Sequence, residues 1–196
     1  MTAQAYEILR IDGVDYDLAS CPLEPWLDRR DERPWAWRTT ALYRAYIGTW
    51  RIEDKALWLD EISVEDESVD SWSLCPAAIP DDLFPGYAEL PVPATWFTGQ
   101  LRINIGEEII YVHHGFGSTH ERRRLIRIEN GRVRSDRTYD NLALVQRQLG
   151  GSAALRAHLA AQKRGGDAVR ELYSGRVPPL MWFTEAGLRL LDREGG

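Results

Sequence analysis

The clearest alternation of apolar and polar positions along the chain runs from Thr95 to Ile105. This period of two predicts a β-strand with one buried face. Its core-side positions are Phe97, Gly99, Leu101, Ile103 and Ile105. Gly106-Glu107 fits a two-residue hairpin turn with glycine at the first central position, so Ile103 is expected to face Ile110 on the returning strand.

After that hairpin, a glycine-rich bend is expected to start a third strand that ends at Asn130-Gly131. This dipeptide suits a turn that needs positive φ at both central residues. The register would then pair Ile128 with Val133 on the core side and Arg127 with Arg134 on the solvent side. Four consecutive strands would form an antiparallel meander, whose single apolar face needs a cover.

Two further hairpins are expected nearer the amino terminus. Asp12-Gly13 is a turn signal between two short alternating segments. Ala41–Ile52 and Ala56–Val64 are rich in aromatic and β-branched residues and flank the polar turn Glu53-Asp54-Lys55. The proline-rich stretch Leu74–Pro93 excludes a regular helix or a central strand, and should wrap the surface between the β units.

The last third of the chain changes to helical periodicity. Three helices are expected to start at capping residues: Thr138 or Asp140 to Leu149, Ser152 to Arg164, and Asp167 to Tyr173. An edge strand, Leu180–Phe183, and a short helix capped by Thr184 would follow. These helices are the natural cover for the apolar face of the meander.

The predicted fold is therefore α+β. It is an antiparallel meander sheet of about seven to eight strands, strongly curved or partly closed, covered by C-terminal helices. We expect residues 1–137 to form the β domain and residues 138–196 to form a helical segment packed on the sheet. A chain of 196 residues is long enough for such a β domain with a small helical appendage.

Composition restricts the class of protein. Hydrophobic residues at 44% and charged residues at 28% are ordinary for a folded globular chain. No apolar run is long enough to cross a bilayer and no signal-peptide pattern opens the chain, so a cytoplasmic location is expected. Cys21 and Cys75 match no zinc spacing and should remain thiols. The net charge of −6 makes general nucleic-acid binding an unfavoured interpretation.

Parts of the β region resemble a group of uncharacterised bacterial proteins of about this size. The matching segments are Thr40–Ile52, Leu57-Trp58-Leu59, Trp96–Leu101 and Tyr111–Gly115. The resemblance covers the β portion of the chain. It implies a small, β-rich cytosolic protein and brings no activity with it.

The densest group of reactive side chains lies around the Gly115 bend. Three of the four histidines, His113, His114 and His120, fall within eight residues, and Glu121 follows the last of them. The three histidines are candidate ligands for a divalent metal, and His113, His120 and Glu121 are candidate acid–base catalysts. Their spacing fits no established zinc motif, so a structural role is the main alternative.

An acidic segment, Asp60–Asp70, is a candidate partner-binding surface. It carries six carboxylates and no lysine or arginine, with Glu65, Asp66 and Glu67 at its centre. Such a run is typical of a solvated loop. It would also complement a basic protein partner, as in an immunity protein that neutralises a basic toxin.

A second candidate surface is aromatic. Trp96 falls on the polar side of its predicted strand. With Arg102 and Tyr111 it would form a patch of the residue types that are enriched at binding hot spots. Both surfaces imply binding of another protein rather than of a membrane.

Seven arginines lie between Arg122 and Arg137. Alternation places Arg123, Arg127 and Arg134 on one face, which could hold phosphate or a nucleic-acid backbone. Few aromatic residues are interleaved with them. Cross-strand ion pairs such as Glu129 with Arg132 are therefore the preferred interpretation.

The favoured hypothesis is a non-catalytic cytosolic binding protein without a cofactor. The alternative is a small hydrolase or metal-dependent enzyme built on the histidine cluster, although the chain has no phosphate-binding loop, nucleophile elbow or metalloprotease signature. Two short C-terminal segments suggest other classes. Phe183–Leu191 resembles the segment after the wing of winged-helix regulators, and Gly195-Gly196 is similar to the tail of ubiquitin-like modifiers.

Overall fold

The computed structural model of the chain describes residues 2–68 and 72–173, and the fold is α+β. The strands are β1 (Glu7–Ile11), β2 (Val14–Leu18), β3 (Ile47–Glu53), β4 (Ala56–Glu65), β5 (Leu74–Pro76), β6 (Val92–Pro93), β7 (Gly99–Ile110), β8 (Thr119–Glu129) and β9 (Arg132–Asp140). The helices are α1 (Glu24–Leu27), α2 (Asn141–Leu149), α3 (Ser152–Arg164) and α4 (Gly166–Leu172), with a 3-10 turn at Thr40–Leu42. The predicted strand Leu180–Phe183, the helix at Thr184 and the Gly195-Gly196 tail lie outside the described residues.

Seven of the strands close into a ring. From β3 the order is β1, β2, β7, β8, β9 and β4, and β4 pairs back onto β3. The β1–β3 pairing is parallel and the other pairings are antiparallel. Two joins are narrow: Leu18 with Ile103, and Ala56 with Arg132. The prediction of a strongly curved or partly closed sheet is confirmed.

The predicted hairpin at Gly106-Glu107 is wrong. Gly106 has a φ of +83°, but β7 continues through it to Ile110 with irregular register on either side of Glu108. Ile103 therefore lies opposite Arg124 on β8 rather than opposite Ile110. A glycine in the left-handed region can serve a bulge that bends one long strand as well as a turn between two. Three strands, not four, form the meander.

The other predicted turns are confirmed. Asn130 and Gly131 have φ of +49° and +72°, and Asp12-Gly13 likewise turns the first hairpin. Ile128 pairs with Val133 as predicted. The solvent-side pair was wrong, because a register shift after Arg127 places that residue opposite Ser135.

The main core fills the inside of the ring. Its buried members come from six of the seven ring strands, and include Leu9, Leu18, Trp50, Leu59, Leu101 and Ile126. The connection around α1 and the loop before β6 close it with Leu23, Leu27, Leu83 and Phe84. The proline-rich segment therefore contributes to the core as well as wrapping the surface.

A second, smaller core joins the C-terminal helices to the ring. It contains Ile109, Ile110, Val145 and Leu155, with α2 lying against β8 and α3 against β7. The Asp140 side chain caps α2 by accepting from the Ala143 N–H, as predicted. The helices thus cover the β7–β8 pair near Ile109 and Ile110, whereas most of the apolar side chains of the sheet are buried inside the ring itself. Each helix in the described part of the chain is too short or too polar to span a bilayer.

Candidate functional site

A groove of about 500 Å3 lies beside the end of β4. It is lined by Pro34, Trp35, Ala36, Arg38, Val64, Glu65, Asp66, Glu67, Ser68, Cys75, Pro76 and Ala78. The three carboxylates predicted as the centre of the acidic surface, Glu65, Asp66 and Glu67, all belong to this lining. The structure therefore brings that part of the candidate site together. We call this feature the acidic groove.

One wall of the acidic groove is the loop that precedes β3. The Trp35 indole N–H donates to the Ala78 carbonyl at 3.1 Å, and the Trp35 ring packs on buried Tyr46 with centroids 5.7 Å apart. The Thr39 hydroxyl donates to Glu65 at 2.6 Å. These contacts attach the loop to β4 and to the segment after β5, so the groove is formed before any ligand arrives.

Negative charge dominates the acidic groove. Its lining holds three carboxylates and one guanidinium, Arg38, which pairs with Glu67 at 3.0 Å in an exposed setting. Exposed ion pairs of this kind contribute little to stability and exchange readily. Asp66 accepts from the backbone N–H and the hydroxyl of Ser68, and these hydrogen bonds lower its pKa. Asp66 therefore stays ionised throughout the neutral range.

Exposed aromatic side chains lie next to the acidic groove in the chain. Trp37, between two lining residues, is 52% exposed and meets Tyr43, which is 73% exposed, edge-on at 6.5 Å. Trp72 is also exposed, one residue before Ser73, whose carbonyl accepts from the Asp66 N–H. Tyr43 falls within the predicted strand Ala41–Ile52, but β3 begins only at Ile47, so strand alternation gave no indication of these exposed side chains.

The predicted aromatic patch around Trp96 does not form. Trp96 packs against Phe84 and Trp26, and its indole N–H donates to the Pro22 carbonyl at 3.0 Å. Arg102 donates to the Phe116 carbonyl at 2.9 Å. Only Tyr111 of the three is exposed, and its hydroxyl bonds His113. Trp96 lies in a loop before β7, so strand alternation did not apply to it.

The histidines around Gly115 are not assembled into a metal centre. The Tyr111 hydroxyl lies 2.7 Å from His113 Nδ1, and His114 is exposed on the bend. His120, opposite Glu108 on β7, is half-buried with an unpartnered Nδ1, and burial lowers its pKa. Across residues 2–68 and 72–173, no three His, Cys, Asp or Glu side chains form a group that could hold a metal ion.

The Glu121 carboxylate lies against the backbone of Gly106. A Cβ at residue 106 would clash with the Glu121 side chain, so this contact requires the glycine in the β7 bulge. The fourth histidine, His158, is buried, and its two ring nitrogens lie 3.0 Å from the Ile109 carbonyl and 3.0 Å from the Tyr173 hydroxyl. Its role is to connect α3 and α4 to β7.

A buried charge pair lies at one end of the ring interior. Glu7 on β1 is fully buried, 3.1 Å from Arg44 Nε, and also accepts a hydrogen bond from the Trp50 indole. Burial raises the pKa of Glu7 to about 7, although Arg44 and Trp50 act to lower it. The Arg44 guanidinium also stacks over the rings of Tyr46 and Phe116. No signal in the sequence marked this pair.

The raised pKa predicts a specific pH dependence of stability. The folded state holds the Glu7 proton to about pH 7, whereas the unfolded chain releases it near the ordinary glutamate pKa of 4.5. The neutral carboxyl therefore favours folding at low pH, and this contribution is lost as pH rises through 7. From pH 4.5 to 8, the wild type should lose about 3 kcal/mol relative to Glu7→Gln. Urea unfolding of both proteins across that range measures this difference in the free energy of unfolding. A difference that stays constant with pH would contradict the prediction.

Comparison of the chain with protein-family models, with curated proteins and with solved structures finds no match. Its function is therefore argued from the residues of the site themselves.

Proposed function

We propose that this chain is a non-catalytic cytosolic protein that binds a basic segment of another protein in the acidic groove. The observation that carries the proposal is the combination of three carboxylates in one preformed groove with exposed Trp37, which is adjacent in the chain to two lining residues and contacts exposed Tyr43. The free thiols of Cys21 and Cys75 are compatible with a reducing compartment.

The chemistry of the acidic groove suits lysine and arginine side chains. Carboxylates accept charge-assisted hydrogen bonds from guanidinium and ammonium groups, and the faces of exposed tryptophan and tyrosine attract the same cations. Arg38 forms an ion pair with Glu67 in the free protein. An incoming arginine can replace it at small cost, because an exposed pair is weak. The net charge of −6 would also speed the approach of a basic partner.

The enzyme hypothesis has weaker support. It needs the histidines around the Gly115 bend to act together, whereas His113 is engaged by Tyr111 and His120 lies across the β7–β8 pair from Glu108. The acidic groove offers a recognition surface without any such requirement. Tryptophan, tyrosine and arginine are also the residue types most enriched at the centres of protein interfaces.

A defined peptide tests the proposed binding. We expect an arginine-rich synthetic peptide to bind at low salt, and the double variant Asp66→Asn/Glu67→Gln to weaken that binding about tenfold or more, which corresponds to about 1.4 kcal/mol. Trp37→Ala should weaken it by a similar factor, since it removes an exposed aromatic anchor. Isothermal titration calorimetry measures both.

The matched control is Asp81→Asn/Glu89→Gln, which removes the same charge from exposed positions outside the groove lining. This control should bind the peptide as the wild type does, apart from the small effect of net charge. Equal losses in the two double variants would show general charge attraction only, and would overturn the assignment of the acidic groove.

A further inference from the structure

The outer face of the β7–β8–β9 strands carries a second group of polar side chains, separate from the acidic groove. The register defines three rows across the strands: Gln100, Arg127 and Ser135; Arg102, Leu125 and Arg137; Asn104, Arg123 and Tyr139. Their neighbours along β7, Leu101 and Ile103, point into the ring core. Alternation therefore directs these rows outward. Four of the nine positions are arginine and none is acidic, in a chain with more carboxylates than cations.

Arg123 is the unusual member of this face. It is 6% exposed, and its Nε has no hydrogen-bond partner in the described residues. Buried arginines are normally paired with a carboxylate. Here burial and the neighbouring charge of Arg102 instead lower the pKa of Arg123 to about 10. Buried groups with strongly shifted pKa values are enriched at functional sites, and an anion is the kind of ligand that would offset this charge.

A cavity of about 270 Å3 opens on the same face. It is lined by Gln100, Leu125, Arg127, Ser135, Arg137 and Tyr139. Arg127 is exposed and makes no ion pair with any carboxylate of residues 2–68 and 72–173. The hydroxyls of Ser135 and Tyr139 and the amide of Gln100 add hydrogen-bond donors, and the lining contains no carboxylate.

We propose that this cavity binds the phosphoryl group of a small phosphorylated molecule, with Arg127 as its cationic ligand. The buried charge of Arg123, two rows away on β8, adds to the positive potential there. A guanidinium presents two parallel N–H donors that match phosphate oxygens, and neighbouring hydroxyls complete the set of donors. The absence of carboxylates on the nine positions removes the groups that would repel an anion. The ligand is opposite in charge to the basic segment proposed for the acidic groove, and the two sites share no lining residue.

Pyrophosphate is the probe for this site, titrated into the full chain at low ionic strength without added metal. We expect saturable binding by calorimetry. Arg127→Gln should raise the dissociation constant about tenfold or more, because it removes an exposed charged ligand with little structural role. The control Arg156→Gln removes the same charge from an exposed position on α3 and should leave the dissociation constant unchanged.

A second variant, Arg123→Met, separates a ligand-binding role from a structural one. If Arg123 awaits an anion, the ligand-free variant should melt at or above the wild-type temperature, because an unpaired buried charge has been removed. Pyrophosphate should also raise the melting temperature of this variant less than that of the wild type. A lower melting temperature together with unchanged pyrophosphate binding would overturn the proposal.

Two other outcomes would also overturn it. The first is the absence of pyrophosphate binding, or equal binding by wild type and Arg127→Gln. The second is binding of a single-stranded oligonucleotide by a chain that does not respond to pyrophosphate, which would indicate a nucleic-acid surface instead. Neither outcome affects the acidic groove, whose peptide assay uses different variants.

Discussion

Replacement of Arg44 by methionine is expected to lower the free energy of unfolding by about 3 to 5 kcal/mol at pH 8. At that pH the Glu7 carboxyl is ionised, because its pKa is about 7. Arg44 is the cation beside it, and both side chains are almost completely buried. Without Arg44, Glu7 at pH 8 must either remain a buried carboxylate without a counter-charge or take up a proton at a pH where the unfolded chain releases it. Both outcomes destabilise the folded state.

The loss should be smaller at pH 5. Glu7 is then protonated in the wild type, so removal of Arg44 leaves no uncompensated charge. The double variant Glu7→Gln/Arg44→Met should recover most of the loss at pH 8, since replacement of both partners by neutral groups can be nearly neutral for stability. Urea unfolding of the four proteins at both pH values forms the double-mutant cycle. A loss that is the same at pH 5 and pH 8, or that the double variant retains in full, would contradict this account.

The second large effect is expected at Val145, which is 0% exposed in the small core between α2 and β7–β8. Val145→Asp would place a carboxylate in an apolar site without a hydrogen-bond partner, at a cost of several kcal/mol. We expect α2 and α3 to detach and to lose their amide protection, while β3 and β4 keep theirs. Hydrogen exchange followed by mass spectrometry measures this segment by segment.

A variant in the main core provides the comparison. Leu59 is fully buried inside the ring, and Leu59→Ala should lower the stability of the whole ring by about 2 to 5 kcal/mol. Protection should then fall in every strand rather than in the helices alone. If Val145→Asp instead abolished protection in β3 and β4, the ring and the helices would be a single cooperative unit.

Elements whose conformation depends on a few neighbouring residues were predictable from the sequence. Asn130-Gly131 and Asp12-Gly13 adopt positive φ in two hairpin turns, as the chemistry of those dipeptides requires. Asp140 caps α2, and Leu142, Val145 and Leu149 lie on its packed face. The fold class followed from the same local patterns. In the candidate site, a run of like charges was enough to identify the three carboxylates.

The aromatic part of the site was not predictable in this way. Trp37 and Tyr43 are exposed because the chain between Pro34 and β3 runs as a loop attached to β4, and no periodicity reports the side to which a loop residue points. The error at Gly106 has a related origin. A lone glycine supplies positive φ equally to a turn or to a bulge, and only the pairing of β7 with β8 selected the bulge.

Residues close together in the chain were enough to specify the turns at Asp12-Gly13 and Asn130-Gly131, the Asp140 cap of α2, the fold class and the acidic segment. The predicted caps Ser152 and Asp167 were wrong, because α3 and α4 begin after Gly151 and Gly165. The tertiary structure alone decided the closure of the ring, which requires the parallel pairing of β1 with β3 and the return of β4 to β3. It also placed Glu7 beside Arg44, and it buried Arg123 with an Nε that has no hydrogen-bond partner within residues 2–68 and 72–173. These contacts are between residues far apart in the chain, and a pattern of neighbouring residues carries no information about which distant segments pair.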